Sequence, residues 1–70
     1  MYPNIRALRE DRDITQKHIA DYLHCSQQVY SNYELGQRDI PTDILIRLSL
    51  FYDVSVDYLL GLTQNPQRIK

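Results

Sequence analysis

Cysteine is nearly missing from this chain of 70 residues. The one present, Cys25, cannot form an intramolecular disulfide, which suits a reducing compartment. Glycine is scarce as well. Two residues, Gly36 and Gly61, cannot build a glycine-rich phosphate loop. No apolar run approaches the ~20 residues that span a bilayer. The start, "MYPNIRALRE", lacks the apolar core of a signal peptide, so a cytoplasmic location is expected. Paired catalytic carboxylates and nucleophile motifs are also lacking, and no enzyme is expected. A surplus of positive charge is missing too. The formal net charge is −1, and no segment is strongly basic, so any positive face must come from arrangement.

What is there fits one small domain. A hydrophobic fraction of 43% is enough for a compact fold and argues against disorder. Helix signals recur about every dozen residues. "NIRALREDR" sets Ile5 and Leu8 three apart. Thr15 is a good N-cap for "QKHIADYLH", whose apolar stripe is Ile19, Ala20 and Leu23. Ser26 caps a third helix that Gly36 stops. Pro41 disfavours helix at Ile40. A fourth helix is expected to open at Thr42 with Leu45, Leu48 and Phe51 or Tyr52 inward. A fifth should open at Ser55 and end at Gly61. Asp43 and Asp57 follow the caps, where a helix dipole favours negative charge. The expected class is therefore all-α, five helices, with residues 1–62 as the domain and 63–70 as a flexible tail. Between the second and third helices only "HC" turns the corner, a spacing that sets two helices at a steep angle.

The third helix, "SQQVYSNYELG", is unusual. On a helical wheel Tyr30 and Tyr33 share one face, flanked by Ser26 and Glu34. Gln28, Ser31, Asn32 and Leu35 fall opposite. The tyrosines should pack inward and the amides look out. An ordinary solvated face would use Glu and Lys, which favour helix and solubility. Gln and Asn instead bring paired donors and acceptors, which match the N6 and N7 edge of adenine in the major groove. This outer face has no acidic residue to repel phosphate.

"TQKHIADYLHCSQQVYSNYELGQRDIP", followed by "VSVDYLLG", resembles the helix-turn-helix of the phage-repressor/Cro-like (XRE) family of bacterial transcription regulators. The resemblance runs from about Asn4 to Leu60. It implies a compact five-helix, lambda-repressor-like fold with the helix-turn-helix in helices two and three. It also implies double-stranded DNA as partner, bound as a homodimer on an inverted repeat, most often for repression. By position, Gln27, Gln28, Val29 and Asn32 become base-reading residues. Gln16, Lys17, Ser26, Ser31 and Arg38 become phosphate contacts. Ala20 must be small where the two helices cross. Two positions depart from the family pattern. His24 stands at a corner where glycine is common, and Tyr30 is bulkier than the usual branched aliphatic.

Arg9 and Glu34 should form a partly buried ion pair, since both point toward the interior and family members often link these helices so. His18, His24 and Cys25 lack a second ligand pair at zinc spacing, so no metal is expected, and no cofactor is implied. Cys25 reads as a small core residue. The acidic balance keeps a second class open: a protein-interaction module of the same fold, antitoxin-like or anti-repressor.

Overall fold

Thr15, Ser26 and Ser55 each stand one residue before a helix and accept the backbone N–H of the third residue on. The distances are 3.0 Å from His18, 3.1 Å from Val29 and 3.0 Å from Tyr58. Such a cap satisfies one of the N–H groups a helix start leaves over, and its loss costs about 1 kcal/mol. The computed structural model describes residues 2–67. Within them lie α1 (Pro3–Asp11), α2 (Gln16–Leu23), α3 (Gln27–Leu35), α4 (Thr42–Tyr52) and α5 (Val56–Leu59), and no strand. The fold is all-α and lambda-repressor-like, with the helix-turn-helix in α2 and α3.

The helix endings share one device. After each helix a residue adopts the left-handed region: Asp13 (φ 54°), His24 (φ 59°), Gly36 (φ 76°), Asp53 (φ 54°) and Gly61 (φ 79°). The next residue's N–H then reaches back five positions, Ile14 to Arg9, Cys25 to Ala20, Gln37 to Asn32, Val54 to Ser49 and Leu62 to Asp57. This is the Schellman ending, which absorbs carbonyls the helix cannot satisfy itself. It turns the chain sharply enough for the described residues to hold five helices.

The core gathers Ile5, Leu8, Ile19, Ala20, Leu23, Tyr30, Tyr33, Ile44, Leu48, Tyr52, Val54 and Leu59. α2 packs on α3, α1 on both α3 and α5, and α4 on α5. Asn4 Nδ2 donates to Tyr58 O at 2.7 Å and ties α1 to α5. The inward face of α4 differs from expectation. It is Ile44, Leu48 and Tyr52, four apart, with Ser49 beside them, while Leu45 and Phe51 are half-buried. Thr42 is not the cap either. Pro41 (φ −59°, ψ 150°) leads into the helix and has no side chain that can cap it. Ser49 is buried without loss because its hydroxyl donates to Val54 O.

Part of the expected flexible tail is tied back. Ser55 N–H donates to Pro66 O at 2.9 Å, and residues 65–67 line a groove with Leu8, Arg12 and Tyr52. Residues 68–70 of that tail lie outside the described residues. Among the described residues no helix is long and apolar enough to cross a membrane.

Candidate nucleic-acid interface

α2 ends at Leu23 and α3 begins at Gln27, with His24, Cys25 and Ser26 between them. His24 makes the corner in a left-handed conformation (φ 59°, ψ 40°). Cys25 is half-buried against the core, and desolvation pushes its thiol pKa up, the opposite of an activated thiolate. Ala20 is 1% exposed, so it has no room for a larger side chain while α2 packs on α3.

α3 has two unlike faces. Tyr30, Tyr33 and Glu34 are buried. Gln27 and Gln28 are exposed at its start, and Ser31 and Asn32 are half-exposed one turn on. Val29 packs in part against the core, which leaves only part of its side chain accessible. Ser26 is held by its capping bond to Val29 N–H. Gln28 Nε2 donates to Asn32 Oδ1 at 3.1 Å. This pairing was not foreseen from the sequence, although the i,i+4 spacing allows it.

The electrostatics follow the helix ends. Neither α2 nor α3 has an acidic residue in its first turn, whereas α4 carries Asp43 and α5 carries Asp57 there. A helix start bears roughly half a positive charge and N–H groups without intrahelical acceptors, so an acid-free start attracts anions. Two cations lie nearby in sequence. Lys17 is exposed and sits 3.5 Å from Asp21 in a loose surface pair. Arg38, just past α3, is exposed with its guanidinium 5.9 Å from the centroid of the Tyr33 ring.

The buried side of α3 is anchored by charge. Arg9 grips Glu34 with two parallel bonds, Nε to Oε2 at 2.9 Å and Nη2 to Oε1 at 3.0 Å. Arg9 Nη1 also donates to Ile14 O at 3.0 Å, so one guanidinium joins α1, the loop before α2, and α3. Glu34 is 3% exposed. Burial alone would raise its pKa. The hydrogen bond from Arg9, with Tyr30, the charge of Arg9 and the Gln16 amide, outweighs burial and holds the carboxyl below its ordinary range. Gln16, at the start of α2, is half-buried. The Tyr30 hydroxyl lies near enough to favour the carboxylate, yet neither it nor the Tyr52 hydroxyl has a partner at hydrogen-bond geometry.

A family model described as "Helix-turn-helix" matches residues 5–59. The chain belongs to the XRE-type helix-turn-helix family of DNA-binding transcription regulators. It is 39% identical over 62 residues to the uncharacterized HTH-type transcriptional regulator YobD of Bacillus subtilis strain 168, covering 89% of this chain and 55% of that one. It is 44% identical over 57 residues to the HTH-type transcriptional regulator ImmR of the same organism, covering 81% and 45%. The uncharacterized HTH-type transcriptional regulator YqaE, also from that organism, is 40% identical over 57 residues, covering 81% and 49%. The chain thus spans about half the length of the curated relatives it matches. No solved structure gives a significant match. The XRE-type match covers all of α2, the turn and α3, and so takes in the acid-free starts of these two helices.

Proposed function

We propose that this chain is a sequence-specific double-stranded DNA-binding regulator that acts in the cytoplasm as a repressor. It lays α3 in the major groove and binds an inverted-repeat operator as a homodimer. The observation that carries the reading is the outer face of α3: adjacent exposed amides and no acid, at the start of the second helix of a helix-turn-helix. Gln27, Gln28 and Asn32 read base edges, and the accessible part of Val29 meets a thymine methyl. Gln16, Lys17, Ser26, Ser31 and Arg38 hold phosphates, helped by the backbone N–H groups of the α2 and α3 starts.

A single small domain makes few contacts, which favours two copies on one site. Leu62, just past α5, is the most exposed large apolar side chain among the described residues at 74%, and it supports the end of α5 as the surface where copies meet. The acidic balance supports the other class, a protein-interaction module of this fold.

Selection of bound duplexes from a random pool, followed by titration of single-base variants, separates the two. Gln28→Ala should lose ~1–3 kcal/mol of discrimination at one base pair. Gln16→Ala should weaken all duplexes evenly, because phosphates carry no direct sequence information. Failure of the pool to yield any preferred site would sink the DNA reading and favour the interaction module.

A further inference from the structure

The bond from Gln28 Nε2 to Asn32 Oδ1, 3.1 Å long, lies on the outer face of α3. Among the described residues it is the one hydrogen bond between two uncharged side chains, the others involving Arg6 or Arg9. A carboxamide has two N–H donors and a carbonyl with two lone pairs. Gln28 gives one N–H to Asn32 and keeps the other together with its whole carbonyl. That remainder is what an adenine edge requires, an acceptor for N6–H and a donor for N7. A glutamine has three side-chain torsions, and fixing such a side chain at an interface weakens binding. A partner that holds it beforehand removes part of that loss. Asn32, half-buried one turn along, is the less exposed of the two and has one side-chain torsion fewer.

We propose that Asn32 is a positioning residue for Gln28, so that the two amides read one base pair as a unit rather than two neighbouring ones. The proposal rests on the reading above that Gln28 meets a base. Asn32 sets the direction of the Gln28 carboxamide edge, and its own NH2 group is left to add a contact only within the same step of the groove.

The test uses a duplex recovered by the wild-type chain from a random pool, with every single-base-pair variant of it. Four proteins are titrated beside wild type: Gln28→Ala, Asn32→Leu, Asn32→Asp and the double variant Gln28→Ala with Asn32→Leu. Circular dichroism checks that each is folded. Gln28→Ala should lose preference at one base pair by roughly 5- to 150-fold. Asn32→Leu, which has no acceptor, should lose preference at that same base pair by roughly 2- to 10-fold. The double variant should lose no more there than Gln28→Ala alone. Asn32→Asp keeps an acceptor in place. It should keep the base preference while binding every duplex more weakly, through repulsion from phosphate. Loss at a different base pair, additive losses, or an Asn32→Asp profile matching Asn32→Leu would each overturn the coupling while leaving base reading by Gln28 intact. A Gln28→Ala profile equal to wild type would remove the underlying reading along with the proposal.

Discussion

Replacing Glu34 with alanine should remove a large part of the domain's stability. The carboxylate is 3% exposed, and it receives both arms of the Arg9 fork at 2.9 and 3.0 Å. Its removal leaves a guanidinium, itself with a side chain 14% exposed, that keeps the Ile14 carbonyl but no counter-charge. Breaking one side of a buried pair costs ~3–5 kcal/mol, against ~0–1 for an exposed one. A domain of this length has roughly 3.5–10 kcal/mol in all. Urea denaturation followed by circular dichroism reads the loss as a fall in midpoint at constant slope. Replacing both partners with apolar residues, Arg9→Met with Glu34→Leu, should recover most of the loss, because no uncompensated charge is then buried. Acid adds a second reading. The Glu34 carboxyl lies below its ordinary range in the fold. Its contribution is therefore fully present above about pH 4.3, the unfolded value, and disappears as pH falls through the folded value. Glu34→Gln should flatten that acid slope. A Glu34→Ala midpoint within a few tenths of a kcal/mol of wild type would refute the argument, and so would an unchanged acid slope in Glu34→Gln.

Three further outcomes are expected. His24→Gly should leave melting temperature and DNA affinity nearly unchanged, since relief of the left-handed corner (φ 59°) offsets the freer unfolded chain; a clear drop in melting would show that the imidazole packs. Stability should decline above about pH 10, because the buried Tyr30 and Tyr52 hydroxyls are pushed up by desolvation, Tyr52 to about 12, so their stabilisation is present below the unfolded value and is lost as pH rises; Tyr52→Phe should lessen the decline in an alkaline titration. DNA affinity should depend weakly on salt, with a log–log slope of roughly −2 to −4 per subunit for two to four phosphates; a slope beyond about −10 for a dimer would bring in the N-terminal arginines or Arg68 and Lys70, which lie outside the described residues.

Helix starts were legible in the sequence wherever a side chain does the capping. Thr15, Ser26 and Ser55 announce α2, α3 and α5 because a hydroxyl before an apolar period has few other local uses. α4 broke the rule, since its entry is set by the backbone of Pro41 and not by the Thr42 hydroxyl. Helix ends were half legible. Gly36 and Gly61 mark left-handed residues, but Asp13 and Asp53 do the same work with a residue type common at any surface position. On α4 the inward Leu48 and Tyr52 were legible, but Leu45 was read in place of Ile44 because "DILIRLSLFY" is so apolar that periodicity defines its face poorly. The helix-turn-helix itself was legible through the short "HC" link and the two caps around it. The Gln28–Asn32 bond was not, because an i,i+4 amide pair on a surface helix has many alternative rotamers and only packing and geometry choose among them.

On the proposed reading, the sorting of acid among the helix starts is how a chain with net charge −1 would offer phosphate a favourable surface. Asp43 and Asp57 compensate the dipoles of α4 and α5, where the effect adds a few tenths of a kcal/mol to stability. α2 and α3 forgo that gain and stay uncompensated. The start of α1 carries no acid either, so the absence of acid does not by itself mark a phosphate site; at α2 and α3 it leaves the helix starts open to one. On the proposed reading, an approaching phosphate would supply negative charge there and accept from the N–H groups that the Thr15 and Ser26 caps leave over. Lys17 can follow it, since its bond to Asp21 at 3.5 Å is exposed and weak enough to exchange for a phosphate at little loss. On the same reading, the acid elsewhere would disfavour non-specific adhesion to DNA through any other face and leave α3 to decide which sequence is held.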